Sequence, residues 1–345
     1  MIPARELADF LGATGLALDA VGDPQPSCVL VDLDGPIPDL APIAAAAGAT
    51  TAVLVGVAHR PPSAAARMMS RELTCTIVPA GTNAEQPLIS VRDPEAAAAD
   101  LQRAVAYVPR AAMSLARLLR LTSDIPVSEG LAAESAVYSM LLAGREFARW
   151  LAERRPVRPA AETGPAVRVT RRGDTLDLMI DRPSRHNAFD RFVRDGLVEA
   201  LEVAVADPSV SRVDLRGAGA SFCSGGDLAE FGTSDDLSAA HLIRLDRSVA
   251  ARVFHCHDRV VAHLHGACIG AGVEIPSFAG RVLAHEDTRI RLPELGMGLV
   301  PGAGGTVGLP RRIGRWRTAY LALSGAQLDR STALAWGLVD AVADD

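Results

Sequence analysis

The sequence predicts an α/β protein built in two unequal parts, and three observations carry that prediction. Short apolar β-rich runs alternate with alanine-rich helical ones over residues 1–93, the pattern of a parallel sheet with helices between its strands. A proline- and alanine-rich stretch, "PVRPAAETGP" at 156–165, reads as a linker to a second α/β segment. That segment contains two glycine-dense turns, "GAGASFCSGGDLAEF" (217–231) and "HGACIGAGVEI" (265–275), each following a strand and each leading into an acidic residue.

Taken in order, "CVLVDLDG" (28–35), "TTAVLVGV" (50–57), "LTCTIV" (73–78) and "PLISV" (87–91) are expected strands, with "DLAPIAAAAG" and "SAAARMMSREL" as the helices between them. No phosphate-binding glycine pattern follows the first strand, so a dinucleotide site there is not expected. Residues 94–155 read as helical, opening on "PE", a favourable helix start. Within them Val137, Tyr138, Leu141, Leu142, Phe147, Trp150 and Leu151 fall at helical spacing and are read as a buried packing face. After the linker come a hairpin around "RRGD", a helix from Asp190 to Ala206, the strand "RVDLRG", the first glycine turn and a helical insertion "DLSAAHLIRLDRSVAARVF". The strand "VVAHLHG", the second glycine turn, a helix start at "AGVEIPSFAG" and the strand "RVLAH" complete the order.

Composition excludes several function classes. The chain has 345 residues, 49% of them hydrophobic, and no apolar run near the ~18 residues of a membrane span. Its N-terminus lacks the apolar core of a secretory leader, so a cytoplasmic protein is expected. The net charge of −6 is spread without a basic stripe, which argues against a nucleic-acid partner. All 35 basic residues are arginine, which removes Schiff-base chemistry and the phosphate-loop lysine. An anionic ligand must then be met by arginine, helix N-termini or backbone amides. The five cysteines lack CxxC spacing and suit a reducing compartment. "HCHD" (255–258), with His263, His265 and Cys268 nearby, could bring imidazoles together, but no second ligand pair follows at a recognised spacing. No metal and no other cofactor is expected.

A strand, a glycine turn and a helix start expose backbone N–H groups at a helix's positive end. Two such turns could merely permit tight packing, or they could aim two donors at one oxygen, as an oxyanion hole does. The motifs "SFCSGGDLAEF", "HGACIGAGVEI" and "LPELGMGLVPGAGGTVGLPRRIGRWRTAYLALSG", with "DRPSRHNAFD" and "ALAWGLVDAV", resemble the enoyl-CoA hydratase/isomerase, or crotonase, family over about residues 166–345. The resemblance implies a crotonase-like ββα spiral, preceded here by a smaller α/β plus helical N-terminal segment, and an acyl-CoA thioester as substrate. It implies an oxyanion hole from the amides of Gly226 and Ala271, and an acid–base pair of Glu274 and Glu294. It also suggests contacts to substrate or coenzyme A by Arg182, Arg185, Ala188, Ser224, Gly225, Gly272 and Arg291. Read alone, Glu274 could simply favour a helix dipole, Glu294 could be ion-paired with Arg289, Arg291 or Arg311, and Asp227 reads as a helix-start residue.

The expected activity is therefore a lyase that adds water to an enoyl-CoA or dehydrates a 3-hydroxyacyl-CoA. Isomerisation, cofactor-independent oxygenation of an arylacetyl-CoA and acyl-CoA binding without turnover remain alternatives. Two departures bear on the choice. Ala271 stands where the family usually has glycine, and Arg291 replaces a small residue, where it could narrow the pocket, bind a polar acyl group or neutralise a glutamate. Family relatives continue into C-terminal helices, and residues 94–157 resemble those helices. Residues 1–93 are accordingly expected to form a degenerate crotonase-like half-domain, 94–157 the helical module and 158–345 the catalytic domain, the module covering an apolar face within the chain or on a neighbour. A homo-oligomer, trimer or hexamer, is expected, without a membrane partner.

Overall fold

The computed structural model describes residues 1–14, 17–37, 39–83, 85–155 and 164–343. The expected linker, apart from Gly164 and Pro165, lies outside the described residues. The first part runs β1 (Ile2–Pro3), α1 (Leu7–Thr14), the small hairpin β2 (Ala17–Leu18) and β3 (Pro24–Gln25), β4 (Cys28–Asp32), α2 (Leu40–Ala49), β5 (Val53–Val57), α3 (Ala64–Ser70), β6 (Cys75–Pro79) and β7 (Leu88–Val91). Its five-stranded sheet has the order β1-β4-β5-β6-β7 and is parallel throughout. Period-2 alternation gives the sheet two buried faces. Val53, Val55, Val57, Cys75 and Ile77 join the main core, whereas Leu54 and Val78 join a smaller core with α1, α2 and α3. Gly56 is needed because a Cβ there would lie 2.8 Å from Leu33 and Leu73 side chains.

Four helices follow: α4 (Pro94–Tyr107), α5 (Pro109–Thr122), α6 (Val127–Leu142) and α7 (Arg145–Glu153). Asp93 caps α4 by accepting from Ala96 N at 3.0 Å. Pro109 forces the break before α5, holding Val108 at φ −137°, ψ 63°. The carboxylate of Glu146 on α7 accepts from Arg110 N and Ala111 N, satisfying donors at the start of α5.

The second part runs β8 (Val167–Arg172), β9 (Thr175–Ile180), α8 (Arg191–Ala206), β10 (Arg212–Gly217), α9 (Leu237–Asp246), α10 (Val249–His255), β11 (Val260–Leu264), β12 (Ala267–Ile269), α11 (Ala271–Glu274), β13 (Arg281–Ala284), β14 (Arg289–Arg291), α12 (Gly305–Ser324), β15 (Leu328–Asp329), α13 (Arg330–Trp336) and β16 (Ala341–Val342). The larger sheet, ordered β16-β13-β11-β10-β9-β8, is parallel except for the β8–β9 hairpin; β12, β14 and β15 form a second, small sheet. The expected insertion helix is two helices, because Ser248 ends one and caps the next, accepting from Ala251 N at 3.2 Å.

Helices α5 and α6 are fastened to α12. Thr122 Oγ1 donates to Thr306 O at 2.6 Å, Arg311 donates to Thr122 O and Ile125 O, and Gly130 lets α6 approach Val307. The 94–155 helices therefore pack onto the second part of the same chain. Among the described residues no helix is long and apolar enough to cross a membrane.

Candidate active site

The two glycine turns lie side by side. Phe222 N donates to His265 O, Cys223 N to Ala267 O, and Ile269 N to Cys223 O, at 2.9–3.1 Å. Gly272 permits this approach, since a Cβ there would stand 2.3 Å from Cys223 O. The first turn is clamped from behind by Asn187, which is fully buried and sits at φ 56°. Its Oδ1 accepts from Arg182 N, and its Nδ2 donates to Ala218 O and Ser221 O. An asparagine tolerates that left-handed backbone and can both donate and accept.

Within the turns, Phe189 N bonds to Gly225 O and Asp227 N to Phe189 O, which leaves the amide of Gly226 between them. Among the described residues, neither the Gly226 N–H nor the Ala271 N–H donates a hydrogen bond to another residue. Both residues line one cavity of about 460 Å³.

Glu274 and Glu294 line the same cavity, and both are buried. Glu274 closes α11, where Pro276 stops the helix after one turn. Its Oε2 accepts from Ala303 N at 2.7 Å and Gly305 N at 2.9 Å. Glu294 sits on a short 3₁₀ turn after β14, and its Oε2 is buried with no hydrogen-bond partner. The two carboxylates face one point above Gly270. A Cβ built on that glycine would lie 2.4 Å from Glu294 Oε1 and 3.7 Å from Glu274 Oε1, and its φ is 51°. The ion pairs considered for Glu294 do not form. Arg311 is spent on Thr122 and Ile125 carbonyls, and Arg291 donates to Gly325 O.

A third buried carboxylate joins them. Glu134, on α6, accepts from Gly304 N at 2.7 Å through Oε1, and from Thr306 N at 2.8 Å and Thr306 Oγ1 at 2.6 Å through Oε2. Four successive amides at the start of α12, from residues 303 to 306, thus alternate between Glu274 and Glu134. Donors at a helix N-terminus suit negative charge. Burial nevertheless raises all three acids above the ordinary carboxylate range: Glu274 to about 7, Glu134 to about 8 with repulsion from Glu274 as its second cause, and Glu294 well upward with Glu274 and Glu134 adding to burial. Three carboxyls so close cannot all ionise at neutral pH, so the cluster holds at least one proton beside a charged neighbour. That is the division of labour that acid–base chemistry needs.

Sequence reasoning missed Glu134, although a signal existed. It lies three residues after Leu131 and four before Tyr138, in phase with the apolar stripe, where an acid must be buried. The stripe itself needs correction: Tyr138, Leu142, Phe147 and Leu151 wall the cavity instead of only packing the interior. Tyr138 lies against Gly302, where a Cβ would come 2.4 Å from its ring.

Arg182, Arg185, Ala188, Ser224, Gly225, Gly272 and Arg291 do not line this cavity. Arg185 forms a largely buried ion pair with Asp227 at 2.8 Å, which also gives Asp227 a partner beyond its place after the turn. Arg182 is buried, with Nη1 directed to Gly164 O. Ser224 Oγ reaches Arg185 O, while Gly225 and Gly272 serve the packing of the two turns. Arg291 lies outside the cavity wall and makes no close ion pair among the described residues, though its charge lowers the proton affinity of Glu294 in part. It flanks fully buried Ile290 on β14, and strand alternation turns its side chain outward. The histidines are engaged separately, His263 with Asp214 at 2.6 Å and His265 with Gly219 O at 3.0 Å. Among the described residues no cluster of histidine, cysteine and acidic groups is arranged to hold a metal ion.

With this geometry in place, comparison with known proteins gives a consistent result. The family model for enoyl-CoA hydratase/isomerase matches residues 172–345. The 2,3-dehydroadipyl-CoA hydratase of Escherichia coli is 34% identical over 174 residues, spanning 50% of this chain and 68% of that protein. The 1,2-epoxyphenylacetyl-CoA isomerase of the same organism is 31% identical over 175 residues, spanning 49% of this chain and 66% of the isomerase. Among solved structures, an enoyl-CoA hydratase from Thermoplasma volcanium is similar at 34% identity and a TM-score of 0.49, covering 53% of this chain and 73% of the other. The matched region thus spans about two thirds of each E. coli relative, and the first part of this chain lies outside the family match.

Proposed function

Because this chain belongs to the enoyl-CoA hydratase/isomerase family and its second part carries that family's crotonase-like α/β fold, we propose that it hydrates an enoyl-CoA thioester. The observation that carries the reading is the pair Glu274 and Glu294, buried without an ion pair, facing one point above Gly270 and lining one cavity with two unengaged amides. Glu274, held by two N–H donors, is the better-stabilised anion and takes a proton from water as the water oxygen bonds to C3. The C2–C3 π pair moves toward the carbonyl, and the thioester oxygen becomes negative against the Gly226 and Ala271 amides. Glu294, whose Oε2 has no donor to stabilise a charge, holds the proton that passes to C2 as the carbonyl re-forms. Each amide of such a hole contributes about 3–4 kcal/mol to the transition state.

Glu134 is a positioning residue in this scheme. It fixes the amides of residues 304 and 306, and so the intervening Gly305 amide that holds Glu274. Leu131, Tyr138 and Leu142 of α6 and Phe147 and Leu151 of α7 contribute apolar wall to the cavity within the same chain.

The direct test is Glu274→Gln. Turnover of a trans-2-enoyl-CoA should fall by roughly 10²–10⁴-fold, while the affinity for the saturated acyl-CoA changes little. Unchanged turnover would reject the role given to Glu274. Following substrate loss and double-bond migration in the same reaction separates hydration from isomerisation.

A further inference from the structure

Four arginines border the cavity: Arg191, Arg194, Arg244 and Arg247. Three of them have acidic partners, Glu230, Asp195 and Asp246 respectively. Arg244, on α9, differs. Its Nε donates to Ser135 Oγ at 3.1 Å and its Nη2 to Ser135 O at 3.4 Å and to Ser139 Oγ, all on α6. The guanidinium also lies 5.0 Å from the centre of the Tyr138 ring. Among the described residues no carboxylate comes within ion-pairing distance of Arg244, and its Nη1 makes no hydrogen bond. The Tyr138 hydroxyl, on the same cavity, likewise bonds to no described residue. Burial pulls the Arg244 guanidinium below its ordinary range, and the more distant Tyr138 and Glu134 groups offset only part of that.

A half-buried arginine held in place by neutral acceptors, with one face of its fork open to a cavity, is an arrangement for receiving an anion. Its position matters equally. Glu134 and Ser135 are adjacent on α6, so the acid cluster and the Arg244 anchor share one helix, and both border the one cavity. We propose that Arg244, with the Tyr138 hydroxyl, binds a carboxylate at the far end of the acyl chain, so that the substrate is a thioester of a dicarboxylic acid. The inference rests on the acyl-thioester reading above and adds the acyl class. The apolar walls from α6 and α7 then accommodate the methylenes between the two ends.

The test is calorimetric binding to the full chain of two saturated esters that cannot be hydrated, adipyl-CoA and hexanoyl-CoA. Adipyl-CoA should bind more tightly by roughly 10- to 100-fold, as expected for a charge-assisted pair. Arg244→Met should bring that ratio near one, and Arg244→Lys should restore part of it. Equal or weaker binding of adipyl-CoA to the native protein overturns the proposal, as does a ratio that survives in Arg244→Met. Should neither ester bind, both the acyl class and the thioester reading fail. If the preference is present but the corresponding enoyl esters are not hydrated, only the reaction assigned above fails.

Discussion

Replacing Glu134 by glutamine tests whether the first part of the chain belongs to the site or merely covers it. The carboxylate accepts from two backbone amides and one hydroxyl, and the residue is only 2% exposed. Glutamine keeps one acceptor oxygen and turns the other into an NH₂ donor. If the amide oxygen stays on Gly304 N, the Thr306 N–H faces another donor, and the Thr306 hydroxyl must rotate to accept. One buried N–H is then left unpaired, at a cost of about 1–3 kcal/mol. The melting temperature should drop by roughly 2–8 °C, read by calorimetry at pH 7. Catalysis supplies the second readout. Loss of the Glu134 hold on its neighbouring amides loosens the Gly305 N–H that stabilises the Glu274 carboxylate, so the proton affinity of Glu274 rises and the acidic limb of the kcat/KM profile should move to higher pH. A variant melting within about 1 °C of the native protein, with a superimposable pH profile, would refute the positioning role.

Two further outcomes follow from the same cluster. Gly270→Ala would place a Cβ 2.4 Å from Glu294 Oε1 at a φ of 51°, so turnover should fall at least tenfold in a protein that still folds, measured by steady-state hydration; unaffected turnover would remove Glu294 from the chemistry. The raised carboxyls of Glu134 and Glu274 make the folded state bind protons more tightly than the unfolded chain does, so their contribution is complete below the ordinary carboxylate range and is lost as pH rises through about 7 and about 8. Thermal stability should accordingly be higher near about pH 5.5 than near about pH 8.5, with the slope flattened in a Glu134→Gln/Glu274→Gln double variant, and a slope of opposite sign would contradict the shifts.

The parts of the site that were legible in sequence are those set by local backbone needs. Gly270 and Gly272 advertise a turn that comes too close to its neighbours for a side chain, whereas Glu274 and Glu294 were indicated by the family resemblance and not by spacing. The exposure of Arg291 outside the cavity wall was legible in the strand alternation around buried Ile290. Glu134 was overlooked. An acid among alanines and serines on a helix ordinarily faces water, and what buries this one is a partner far along the chain. The same holds for Arg244, whose contacts all come from α6. Long-range pairing, unlike turn chemistry, leaves only a phase relation within each helix.

The amides that open α12 have consequences for how the protein matures. Gly304 and Glu134 stand 170 positions apart, and Thr306 and Glu134 172, so the buried acids cannot reach their final environment until the ends of a very long loop have met. Closure of that kind is slow relative to local structure and comes after it. Damage to the early helices would then surface as poor chemistry in a protein whose glycine turns are intact, and the site's readiness reports on whether the whole polypeptide has come together.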